Sequence, residues 1–198
     1  MRPDLAIIAD LINPGARVLD LGCGDGELLA HLQTHKQVTG YGLEIDPDNI
    51  ATCITKGVNV VEQNLDVGLA NFASASFDMV VMTETLQSVR YPDSLLLDML
   101  RVGQDCIVTF PNFGNWRCRT QLATRGVMPV SGHLPHNWFD TPNIRLCTFR
   151  DFEQLCHDKN LSIVERFVTD PGYRNGPLIN RFPNFFGTIA FYHLARSR

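Results

Sequence analysis

The sequence predicts an α/β fold, a mostly parallel sheet with helices on both faces. Three observations predict it. Short apolar runs alternate with segments whose apolar residues recur at helical spacing. One such run, residues 18–21, breaks at three glycines on alternate positions, Gly22, Gly24 and Gly26, and resumes as Leu28, Leu29 and Leu32. That is a strand, a tight turn and a helix, the opening unit of an open parallel sheet. A carboxylate, Glu44, stands 20 positions after Gly24 at the end of the next apolar run.

Taken in order, Leu5, Ile8, Leu11 and Ile12 form an amphipathic helix that Asn13, Pro14 and Gly15 stop. The strand, glycine turn and second helix follow, the helix ending before Val38. Residues 38–46 read as the second strand. Asp46 before Pro47 is a good helix start, and the helix runs to Lys56 with Gly57 as its stop. Residues 59–63 are a short third strand and 76–82 the fourth. Pro92 opens a helix that Gly103 closes, and 105–110 is the fifth strand. Beyond a long connection, 149–156 reads as a helix, 161–167 as a strand and 185–194 as the last strand. The turn between the last two strands, residues 171–177, has a mobile composition.

The glycine turn departs from the dinucleotide fingerprint, whose last glycine would fall on Glu27. Asp20 and Asp25 flank the turn, and there is no Lys or Arg from Val18 to Gln33. Like charges repel at short range, so a pyrophosphate fits poorly and a cation fits better. S-adenosylmethionine (SAM) carries an ammonium and a sulfonium. An NAD-dependent dehydrogenase is disfavoured on the same ground. Glu44 is placed to accept hydrogen bonds from ribose hydroxyls.

Composition narrows the field. The 198 residues are 44% hydrophobic and 19% charged, with net charge −4, which suits one globular domain. No basic footprint points to nucleic acid. Six scattered cysteines, none in a C-x-x-C pair, read as reduced thiols of a cytoplasmic protein. His133 and His136 flank Pro135 without a matching ligand pair, so no metal is expected. The N-terminal residues do not read as a signal peptide, and no apolar run approaches the roughly 20 residues of a membrane helix.

Residues 111–148 are long for an α/β connection, where about two to six residues are usual. They hold Phe113, Trp116, Trp138 and Phe139 with Arg117, Arg119, Arg125 and Arg145. Such a segment is a lid, an interaction surface or a local mini-core.

The turn resembles motif I of the class I SAM-dependent methyltransferases. That likeness implies that Asp20 sits near the ammonium of SAM, with Gly22, Cys23, Gly24 and Gly26 forming the turn beneath it. It implies ribose contacts from Glu44 and Ile45. Adenine would lie by Asn64 and Leu65. Relatives carry an acid where this chain has Asn64; the Asn carbonyl can still accept a hydrogen bond, and Asp66 could substitute. Thr83 would approach the methionine part, mainly through its backbone. Three further stretches, residues 2–5, 110–117 and 138–148, resemble the MetW family of methionine-biosynthesis proteins over nearly the whole chain. The resemblance implies a three-layer, Rossmann-like class I methyltransferase fold, with a seven-stranded, mostly parallel sheet whose last strand is antiparallel. It also implies Gln in the place of Glu84.

Two functions follow as expectations. The first is a SAM-binding protein that associates with homoserine O-acyltransferase and supports it. The second is an active methyltransferase on a small molecule, with SAM converted to S-adenosylhomocysteine. An O or C nucleophile usually needs a base. Glu84, His133, His136 and Tyr173 are candidates, and none is placed by the sequence.

Overall fold

The computed structural model describes residues 2–170 and 172–196. Seven strands form one sheet in the order β3-β2-β1-β4-β5-β7-β6. They are β1 (Arg17–Leu21), β2 (Thr39–Glu44), β3 (Val60–Glu62), β4 (Phe77–Thr83), β5 (Gly103–Pro111), β6 (Leu161–Thr169) and β7 (Ile189–Arg196). β1 to β5 pair in parallel, and β7 runs antiparallel to both β5 and β6. The strand order reverses between β1 and β4. In open α/β sheets the crevice at that reversal, past the strand C-termini, is where ligands bind.

Adjacent residues of the central strands point into opposite layers. Val18 and Val81 pack with Leu5, Ile8, Leu28, Leu29 and Leu32 of α1 (Pro3–Leu11) and α2 (Glu27–Lys36). Leu19 and Val80 pack with Leu96, Met99 and Phe152 on the other face, from α4 (Pro92–Val102) and α6 (Phe149–Asp158). Phe110, Phe152 and Tyr192 close that layer, with ring centroids 4.6 to 5.9 Å apart. α3 (Pro47–Thr55) is capped by Asp46, which accepts hydrogen bonds from the Asp48 and Asn49 amides.

The end of the chain differs from the sequence reading. Residues 185–194 are not one strand. Pro183–Phe186 is a short helix, α8, which follows α7 (Pro177–Arg181), and pairing begins only at Ile189. A proline at the first helical position and Gly187 after the last explain the helix within this mostly apolar stretch. Of the turn 171–177, Pro171 lies outside the described residues.

The 111–148 segment carries one helix, α5 (Trp116–Arg125), and an isolated bridge between Ser131 and Leu134. It is tied down at both ends. Asn112 and Asn115 are buried, and both donate side-chain hydrogen bonds to the Gly187 carbonyl, at 2.8 and 2.9 Å. The Ile144 and Arg145 amides both donate to the Gln87 carbonyl at 2.9 Å, and Arg145 Nη2 donates to the Arg90 carbonyl. Between those anchors Trp138 and Phe139 stand 75% and 70% exposed.

Candidate functional site

β1 ends at Leu21, and the backbone turns through three left-handed glycines, Gly22, Gly24 and Gly26, at φ 70°, 55° and 74°. Residues with a Cβ avoid that region, so alternate glycines are what the turn requires. Their side-chain space differs. A Cβ on Gly22 would lie 2.6 Å from Thr85 Oγ1, and one on Gly26 would lie 2.8 Å from Cys53 Sγ. A Cβ on Gly24 would meet nothing within 4 Å. Gly24 therefore faces open space, while the other two are packed from behind.

Two adjoining hollows open at the strand C-termini, and Gly22 lines both. The first, about 350 Å³, is lined by Asp20, Cys23, Gly24, Asp25, Thr83 and Arg2 among others. The second, about 240 Å³, is lined by Glu44, Ile45, Asn64, Leu65, Asp66 and Thr85 among others. Of the residues that the likeness assigns to the cofactor, Gly26 alone lines neither hollow, and the candidate bases Glu84, His133, His136 and Tyr173 also line neither. Gly26 caps α2 instead.

Asp20 is 3% exposed, and its Oδ1 has no hydrogen-bond partner. Burial, reinforced by the negative charge of Glu44, pushes its carboxyl up to about 7, and Arg2 pulls the other way. Thr83 is the last residue of β4, and its Oγ1 is likewise buried and unpartnered. The expectation that Thr83 acts through its backbone left this hydroxyl out. Two orphaned oxygens in one hollow suit a ligand that donates hydrogen bonds and carries positive charge.

Glu44 is spoken for in part. Oε2 accepts from the Gly24 amide at 2.8 Å, and Oε1 accepts from the Ile45 and Asp46 amides at 2.7 and 3.0 Å. It thereby fixes the glycine turn to the end of β2. A carboxylate has about four lone-pair sites, so acceptor capacity toward the second hollow remains. Asn64 Oδ1 accepts from the Asp66 amide, and Asp66 Oδ1 accepts from the Arg90 amide. Both are engaged in shaping the wall.

The charges around the turn differ from the sequence reading in two places. Asp25 is paired with Lys56, 2.7 Å away at the end of α3, so its charge is largely answered. The stretch around the turn has no cation of its own, yet Arg2 arrives from the N-terminus. It donates to Asp4, which is 1% exposed, and reaches Glu84 at 3.4 Å. Arg2 and Asp4 were missed as site residues. The signal available was an oppositely charged pair flanking Pro3 at a helix start.

Glu84 adopts a left-handed backbone, φ 49°, held by its amide donating to the Thr109 carbonyl and hydroxyl. Burial raises its carboxyl, and Arg2 opposes that. Tyr173 and His133 meet edge to face with centroids 6.0 Å apart, and burial first, then the charges of Asp4 and Glu84, raise the tyrosine hydroxyl. His136 lies apart, in a shallow hollow with Trp138 and Leu146.

The family model "Methionine biosynthesis protein MetW" matches residues 2–194. A bifunctional methionine biosynthesis protein MetXA/MetW of Rhodopirellula baltica is 35% identical over 172 residues, 82% of this chain and 28% of that protein. A ubiquinone biosynthesis O-methyltransferase of Nitrosococcus oceani is 35% identical over 86 residues, 41% of this chain and 36% of that one. The chain thus spans little more than a third, at most, of the curated relatives it matches. Among solved structures, a SAM-dependent methyltransferase of Mesorhizobium loti superposes with TM-score 0.70 at 14% identity, covering 98% of each chain. One of Archaeoglobus fulgidus superposes with TM-score 0.69 at 16% identity, covering 98% of this chain and 91% of that one. These structural likenesses show the fold, which is the Rossmann-like fold of class I methyltransferases.

Proposed function

We propose a function from one premise, that this chain belongs to the MetW family of methionine biosynthesis proteins. The protein binds SAM or S-adenosylhomocysteine in the two hollows at the glycine turn, and it associates with homoserine O-acyltransferase and supports its activity. The observation that carries the cofactor reading is the pair of buried, unpartnered oxygens, Asp20 Oδ1 and Thr83 Oγ1, beside an open Gly24. SAM supplies a positively charged sulfur with a transferable methyl group. In this reading Asp20 answers the ammonium, and Thr83 Oγ1 accepts a hydrogen bond from it. Gly22, Cys23 and Gly24 line the methionine end, and Gly26 holds the turn. Glu44 accepts from the ribose hydroxyls. Ile45, Asn64 and Leu65 flank the base. The chain acts as a single cytoplasmic domain, with 111–148 as its docking insertion.

Two things support the partner. The family resemblance implies homoserine O-acyltransferase. The Rhodopirellula relative, by its name, unites MetXA and MetW in one protein of which this chain matches 28%. Both parts are testable separately. Calorimetric titration with SAM should give one site. Affinity should rise with pH toward 7 as Asp20 ionises, and fall again above about 8, where a free α-amino group loses its proton. Co-purification followed by an acyl-transfer assay, with and without SAM, tests the association. No SAM binding at millimolar concentration rejects the site, and no association with no change in rate rejects the partner.

A second reading, a small-molecule methyltransferase, is favoured by one observation. Glu84, next in the chain to Thr83 of the first hollow, is a carboxyl raised by burial and close to Tyr173. That is how a general base is made. Turnover of SAM to S-adenosylhomocysteine that disappears in Glu84→Gln would establish it; tight binding without turnover favours the first reading.

A further inference from the structure

On the flank formed by α5, α6, β6 and α7 lies a pocket of about 300 Å³, apart from the two hollows at the turn. Arg119, Arg150, Arg166 and Arg181 line it, one from each of those four elements, with a single carboxylate, Glu153. Glu153 is used: Oε1 accepts from Arg166 at 2.6 Å and from the Tyr192 hydroxyl at 2.9 Å. Among the described residues, no carboxylate pairs with Arg119, Arg150 or Arg181. Three uncompensated guanidinium groups around one concavity repel one another, and they do so in a protein of net charge −4.

Two of the three are held in place. The Arg119 guanidinium lies 5.9 Å over the Phe185 ring, and its Nε donates to the Gly114 carbonyl, leaving the terminal nitrogens unused. The Arg181 guanidinium lies 5.4 Å over the Phe182 ring. Planar cations seated on aromatic rings lose less freedom when they bind an anion. Their forked donors match phosphate oxygens.

We propose that this pocket binds a small molecule bearing a diphosphate, such as a nucleoside diphosphate. The phosphates engage Arg119, Arg150 and Arg181. The proposal is independent of the cofactor reading, because none of these residues lines the turn hollows.

The test is calorimetric titration of the full chain with ADP, inorganic pyrophosphate and adenosine, at low and high salt. Pyrophosphate and ADP should each bind once. ADP should bind the tighter, binding should weaken with salt, and adenosine should show no binding that SAM does not displace. The double variant Arg150→Ala/Arg181→Ala should lose tenfold or more for both phosphates and keep its affinity for SAM. Arg150→Gln, a milder exposed change, should lose several-fold without altering the melting temperature. The proposal is overturned if neither phosphate binds at millimolar concentration or if the variants bind as the parent does. It is equally overturned if SAM displaces ADP competitively, or if only an acidic polypeptide such as polyglutamate binds.

Discussion

Asp20 sets the electrostatics of the first hollow. Its folded pKa, about 7, lies above the ordinary 3.8. A raised carboxylate contributes stability that is fully present below the unfolded value and is lost as pH rises through the folded one. At pH 8 the buried charge therefore opposes folding by on the order of 2–4 kcal/mol in the ligand-free protein. Asp20→Asn should raise the ligand-free melting temperature by several degrees at pH 8, with the gain shrinking toward pH 5. It should also weaken SAM tenfold or more by titration. A gain independent of pH would show that the side chain acts through packing alone. The glycines allow a second separation. Gly22→Ala must clear Thr85, 2.6 Å away, and adopt a left-handed backbone, so it should cost about 1–3 kcal/mol in denaturant melts. Gly24→Ala meets no atom and should cost about 1 kcal/mol for the backbone alone. Its methyl projects into the open space beside the turn, so SAM affinity should fall far more than stability does.

At the level of single elements, local chemistry was readable and distant chemistry was not. Asp46 before Pro47 was legible as a cap, because the cap and the amides it serves lie within three residues. Asp46→Ala should lower stability by about 1 kcal/mol, read from chemical denaturation with the slope unchanged. The start of the last strand was harder. Residues 185–194 are mostly apolar, and composition does not say where a helix stops among them; Pro183 and Gly187 decide that. The 111–148 segment was recognisable as unusual from its length and aromatics. Its fastening was not, since Asn112 and Asn115 meet Gly187 more than 70 residues away. Trp138 and Phe139 contribute little burial, so Trp138→Ala with Phe139→Ala should leave the melting temperature within a degree or two. The same pair should weaken co-purification with homoserine O-acyltransferase at least tenfold. An unchanged complex would move the docking surface elsewhere.

For the whole molecule, the turn and Glu44 were legible because they are one contiguous strand-turn-helix-strand unit. Arg2 was not, because it meets Glu84 across 82 residues, a distance only the assembled sheet closes. The same assembly joins the second hollow to the exposed insertion. Ser88 and Val89 wall that hollow, and the Gln87 carbonyl just before them receives both the Ile144 and Arg145 amides. A partner on the insertion would thus be joined, through two backbone hydrogen bonds, to the segment that walls the second hollow. If such a partner tightens binding in the hollow, occupancy of the hollow tightens the partner by the same factor.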